Sequence, residues 1–109
     1  MQRLRFVLLA EARDSLRSIV DFLLRSGASR KTALGFVARI RARCERIGHV
    51  PLGGRPRDDL APGLRTVPFE DSAVIAYVVR DDRVEIVDIF YGGRDYEVLY
   101  RDEGAPPGG

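Results

Sequence analysis

Three side chains in this 109-residue chain, Arg65, Arg94 and Tyr100, are of types that together could run a reaction. RNA is cut when a 2′-hydroxyl attacks the adjacent phosphate, and arginines stabilise the charge that develops on the phosphorane. A tyrosine serves as the general base when neighbouring cations lower its pKa. That chemistry requires the strand carrying Arg65 and the segment holding Arg94 and Tyr100 to converge. Each residue also has a plain structural reading: an arginine near a strand start makes a surface ion pair, and a tyrosine near the C-terminus caps the core. Other chemistries find no support. Cys44 and His49 are the only Cys and His, so neither a zinc site nor an internal disulfide is expected. A Ser-His-Asp or Cys-His centre would have to use His49, which sits beside Pro51 in a turn-rich stretch. Gly92-Gly93 is too little for a dinucleotide loop, and Asp81-Asp82 reads as turn chemistry. No cofactor and no metal are expected.

The elements that would position these residues follow from periodicity. Arg3-Leu4-Arg5-Phe6-Val7-Leu8 begins with polar–apolar alternation and predicts a first strand. Ala12, Leu16, Ile19, Val20 and Leu23 recur at helical spacing, with Gly27 as the stop and Ser29 as the N-cap of a second helix. Ala33, Phe36, Val37, Ile40, Cys44 and Ile47 form the apolar stripe of that second helix, and Arg39, Arg43 and Arg46 form a basic stripe beside it. So short a link makes the two helices an antiparallel hairpin. Residues 48–63, rich in Gly and Pro, read as a loop with no room for regular structure.

Three strands are predicted next, Leu64 to Phe69, Ala73 to Arg80 and Arg83 to Tyr91, the last two joined by a tight turn. Arg94 to Asp102 reads as a short segment or helix. The expectation is therefore an α+β fold: N-terminal strand, antiparallel two-helix hairpin, three-stranded antiparallel meander and short C-terminal segment. Residues 1–103 would make one domain, with 104–109 a flexible tail. One helical hairpin covers one face of such a sheet, yet Ala73, Val74, Ile75, Ala76, Val78 and Val79 put apolar groups on both. The second face must be covered by the C-terminal segment or by a partner chain, and this mismatch favours a binding module.

The net charge of +2 conceals an asymmetry: residues 1–57 hold 13 bases and 4 acids, whereas residues 58–109 hold 5 bases and 12 acids. The arginines of the first half are either a solvated surface or a face for an acidic partner segment or nucleic acid. Apolar stretches are too short to span a bilayer and no signal-peptide core is visible, so a cytoplasmic location without membrane contact is expected.

Four pieces between about Leu8 and Tyr100 form a pattern that extends over nearly the whole chain. Ala12, Leu16, Ile19 and Phe22 are similar to the first-helix pattern of ParE. Pro51, Gly54 and Arg57 follow, then Leu60-Ala61-Pro62-Gly63-Leu64-Arg65, which resembles the ParE "L-x-P-G-L-R" turn. Ile75-Ala76-Tyr77-Val78-Val79 is similar to the "I-x-Y-x-V" strand. Val84 to Val87 and then Phe90-Tyr91-Gly92-Gly93-Arg94-Asp95 resemble the ParE ending, with Tyr91 in place of its usual His. In this order and spacing the pieces resemble the ParE/RelE superfamily of type II toxins.

The resemblance implies a toxin wrapped by the C-terminal part of a cognate antitoxin, with Arg39, Arg43, Arg46, Val74, Ala76 and Val78 as antitoxin-binding residues. ParE members poison DNA gyrase without catalysing a reaction, whereas RelE members cut mRNA in the ribosome. RelE-like chemistry would use Arg65, Arg94 and Tyr100. Val67 and Val74, however, stand where RelE carries two further bases, and their loss removes on the order of several kcal/mol of transition-state stabilisation. The expectation is therefore a ParE-like toxin with gyrase as target, in which Arg65, Arg94 and Tyr100 bind the target. Direct nucleic-acid contact belongs only to the RelE-like alternative.

Overall fold

The computed structural model describes residues 3–93 and 95–104. Strand β1 (Arg5–Leu8) leads into helix α1 (Ala10–Arg25) and helix α2 (Arg30–His49). Glu11 in the first turn and Arg25 in the last turn of α1 complement its dipole. Gly27, at φ +98°, reverses the chain where other residues would be strained, and the Ser29 hydroxyl then accepts the Thr32 N–H to cap α2. Beyond α2 come a 3₁₀ turn (Pro51–Gly53), a two-residue strand β2 (Arg55–Pro56), and strands β3 (Leu64–Phe69), β4 (Ala73–Val79) and β5 (Arg83–Tyr91). Helix α3 (Tyr96–Gly104) follows.

The predicted meander is present but flanked: the sheet has five strands in the order β1-β5-β4-β3-β2. β1 pairs in parallel with the start of β5, Arg5 opposite Arg83 and Leu8 opposite Ile86. The predicted structureless loop is corrected by the 3₁₀ turn and by β2, whose Arg55 and Pro56 pair with Thr66 and Arg65. Proline is tolerated there because β2 is an edge strand with one side free of ladder bonds. The tail expected at 104–109 lies outside the described residues from 105 onward, and Gly104 closes α3.

Burial assigns the faces. Leu16, Ile19, Phe36, Ile40, Cys44 and Ile47 of the helices pack on Val67, Ile75, Tyr77, Val84, Ile86 and Ile89. Ile86 and Ile89 reach the same side although three residues apart, because Val87 is an extra residue bulged out between the pairs Tyr77–Ile86 and Ala76–Asp88. The second face is covered by the chain itself. Ala76 (0 % exposed) and Phe90 lie beneath Leu60, Leu64, Tyr96, Leu99 and Tyr100. Of the two covers considered from sequence, the C-terminal segment is the one observed; the Phe90 ring stacks on Tyr96 and meets Tyr100 edge-on.

A candidate binding groove beside the second helix

Two of the three residues proposed for phosphate chemistry, Arg65 and Tyr100, are not brought together. Arg65 lies opposite Tyr77 on the helix side of the sheet, whereas Tyr100 packs on Phe90 on the other side. Val67 is a core residue and Val74 stands half-buried on the side opposite Arg65. Arg94 lies outside the described residues. Among the described residues, no group of three or more His, Cys, Asp or Glu could hold a metal ion. Cys44 is fully buried between helix and sheet, and that burial pushes its thiol up to about 12, far from any reactive range.

Arg65 instead joins a structural knot. Its Nη1 donates to the Leu52 and Gly54 carbonyls at 3.1 and 2.8 Å, holding the 3₁₀ turn against β3. The Tyr77 hydroxyl, fully buried, donates to the Pro51 carbonyl at 2.8 Å and accepts the Gly54 N–H at 2.9 Å. Burial raises the Tyr77 pKa and keeps the phenol neutral. A Cβ on Gly54 would meet the Tyr77 ring and hydroxyl, so glycine is required. Pro51, Gly54, Arg65 and Tyr77, scattered across the recognised sequence pattern, are thus one joint.

A second joint was not foreseen from sequence. Arg57, 5 % exposed, pairs through Nε and Nη2 with Asp59 at 3.0 and 2.9 Å, and through Nη1 with the Tyr96 hydroxyl and Glu97. It clamps α3 to the loop before β3. Its signals in the sequence were a place in the family pattern and the acids that follow it, which a surface pair would also give. The Arg57 side chain holds Asp59 below the usual carboxylate range, chiefly by hydrogen bonding. Glu70, Asp82 and Glu85 are lowered in the same way by their arginines. Because these carboxylates titrate lower folded than unfolded, their contribution is complete above the unfolded carboxylate range of about 4 and is lost as pH falls through the folded values. Urea unfolding followed by circular dichroism should therefore show stability level from pH 7 to about 5 and falling below about 4. A profile that rises on acidification would show that these pairs are not formed.

The basic stripe of α2 divides in two. Arg39 is engaged: Nε and Nη2 pair with Glu70 at 2.8 and 3.1 Å, and the guanidinium lies over the Phe36 ring at 5.5 Å. Glu70 and Asp71 have φ of +48° and +57°, a conformation that side chains seldom adopt, and the Arg39 contact holds the β3–β4 turn in it. Arg43 and Arg46 have no acidic partner among the described residues. With Ile47, Val50, Gly53, Gly54, Val67 and Tyr77 they line an open groove of about 410 Å³. Of the apolar trio proposed for a partner, Ala76 is sealed beneath α3, Val78 is half-buried beside it, and Val74 borders a small cavity of about 100 Å³. A further apolar groove of about 390 Å³ runs between α1 and β5, past Ile19, Phe22, Ile89 and Tyr91.

No helix among the described residues is long and apolar enough to cross a membrane. No curated protein sequence matches the chain. The fold is similar to that of a chain from the chromosomal ParDE toxin–antitoxin system of P. aeruginosa, with a TM-score of 0.70, 21 % identity, and coverage of 83 % of this chain and 97 % of that one. The family model of the ParE toxin of the type II toxin–antitoxin system parDE matches residues 6–96. That span runs from β1 to the first residue of α3 and takes in the Tyr77 joint and the arginine groove, so the chain belongs to the ParE toxin family of type II toxin–antitoxin systems.

Proposed function

We propose that this toxin acts on DNA gyrase by binding, without catalysing a reaction, and is neutralised in the cytoplasm by a cognate antitoxin that engages its arginine face. The observation that carries the first part is the separation of Arg65 and Tyr100 onto opposite faces of the sheet. A general base must lie within hydrogen-bond reach of the proton it removes, and a sheet between the two groups prevents that. Val67, in the core, adds no charge. In this reading Arg65 and Tyr100 help to shape target-binding surfaces, Arg94 also binds the target, and no cofactor or metal takes part.

Purified toxin should block supercoiling by gyrase, or trap cleaved DNA, with no ribosome present. Tyr100→Phe should retain that effect within about twofold, since the aromatic packing on Phe90 survives. If the toxin were a ribonuclease, the same change would lower its rate by about 10²–10⁴. Codon-phased cleavage of mRNA on programmed ribosomes, with gyrase untouched, would refute the proposal and establish the RelE-like alternative.

A further inference from the structure

We propose that the groove between α1 and the C-terminal end of β5 is a contact surface for the target, and that it takes a basic, partly apolar element of the gyrase surface. A lysine or arginine of that element would lie against Asp14 and Ser18, and an apolar side chain against Phe22 and Tyr91. The occupant rests on the gyrase reading above; the sign and shape of the groove do not depend on it.

Four observations carry the inference. First, Asp14, Ser18 and Phe22 stand at i, i+4 and i+8 along one wall of this groove of about 390 Å³, with Ile89 and Tyr91 on the other. A helical rise of about 1.5 Å per residue sets the carboxylate end about 12 Å from the aromatic end, a spacing that two side chains of one partner element can span. Second, the groove is lined by a carboxylate and by no Lys or Arg, the reverse of the groove at Arg43 and Arg46. Asp14 meets Arg17 at 3.3 Å, but both are exposed, and so weak a pair is open to exchange. An acidic antitoxin segment or a nucleic-acid phosphate finds no cation on these walls. Third, Phe22 is 49 % exposed, and its ring meets Tyr91 edge-on at 5.8 Å, while Tyr91 is set against the buried Phe36 at 5.4 Å. A ring held from behind and half in water is an anchor for a protein partner, and its face also attracts a guanidinium or ammonium. Fourth, both walls are fixed in advance. The Ser15 hydroxyl donates to Asp88 Oδ1 at 2.5 Å, fastening α1 to β5, and Gly92, at φ +77°, turns the chain after Tyr91 and donates its N–H to the Ser72 carbonyl at 3.0 Å. A second copy would have to bring its own bases to the groove in a head-to-tail contact, which has no twofold closure.

The test compares gyrase inhibition with antitoxin binding for variants of the full chain. Phe22→Ala and Asp14→Lys should each raise the toxin concentration that halves supercoiling by about tenfold or more, the scale of one lost anchor or charge contact. Asp14→Glu, which keeps the charge, should stay within about threefold. Leu24→Ala, a comparably exposed change on α1 outside the groove, should have no effect. Urea midpoints and antitoxin affinity should not follow these losses. In a titration of the ¹⁵N-labelled chain, a short capped peptide of alanine, leucine and lysine should shift the amides of Ser15, Ser18, Phe22 and Gly92. A counterpart with glutamate for lysine should bind about tenfold more weakly. If the wild type inhibits gyrase and the Phe22 and Asp14 variants match it, the inference is overturned and the gyrase reading stands. A wild type inert towards gyrase overturns that reading and this occupant together, and the titration then decides separately whether the groove takes a basic ligand. Equal binding of the two peptides overturns the chemistry. Loss of antitoxin affinity in step with gyrase inhibition assigns the groove to the antitoxin, and self-association that the variants abolish assigns it to a second copy; either result also overturns the inference.

Discussion

Gly48→Ala should destabilise the toxin by about 3 kcal/mol, near the upper end of the usual cost of forcing atoms into a packed interior. Gly48 lies in the last turn of α2, where β1 passes against the helix. Its carbonyl accepts the Leu4 N–H at 2.9 Å, and a Cβ at this position would fall on the Leu4 carbonyl oxygen. The obstacle is main chain, so no side-chain rotation relieves it. Either β1 shifts along β5 or the end of α2 lifts away, and both openings expose the fully buried Val84 and Ile86. Gly35→Ala in the same helix is the control. Its Cβ would meet only the end of the Arg39 side chain at 3.8 Å. There alanine should be neutral or stabilising by up to about 1 kcal/mol through helix propensity. Urea unfolding of the two variants checks this, and two equal midpoints would mean that β1 is not held against α2 as described.

Charge reversal on α2 should weaken the antitoxin complex in a graded way. Arg43→Glu and Arg46→Glu together are expected to raise the dissociation constant about a hundredfold, roughly 2.7 kcal/mol, and to flatten its dependence on salt. Arg39→Glu should do less to binding, because Arg39 is already committed to Glu70. It should instead loosen the β3–β4 turn, where Glu70 and Asp71 hold positive φ. Calorimetric titration at two ionic strengths separates the cases. Equal losses at all three positions would return Arg39 to the interface, and no loss at any would remove the arginine stripe from it altogether.

Much of the fold was legible because it depends on local chemistry. The 3.6-residue periods of α1 and α2, Ser29 as a cap, Gly27 as a stop and the Asp81-Asp82 turn are each specified within a few residues. Strands β3 to β5 were found within a residue of their ends for the same reason. β2 was missed because two residues carry no period, and its existence depends on Thr66 and Arg65 lying alongside. Whether α3 or another chain covers the second face was also undecidable locally, since the apolar pattern on β4 is the same in either case.

The candidate site was legible in part. The types of its residues were visible, and the basic stripe was found at its true spacing. Which arginines are spent and which remain was not. Arg39, Arg43 and Arg46 are equivalent in sequence, yet only Arg39 meets an acid 31 positions away. Arg57 stood out only as part of the family pattern, with no sign that it is buried in a clamp that reaches Glu97. Arg65 and Tyr100 looked able to converge, and the sheet stands between them.

The sequence by itself determined the two long helices and the longer strands, their apolar faces, the family pattern and the sign of the charge on α2, because helical and strand periods, caps and turns act over a few residues. The tertiary structure alone decided which charges cancel, which face is sealed and where a groove remains. Ion pairs and burial depend on distance in space, and residues far apart along the chain acquire that distance only when the sheet closes around its core.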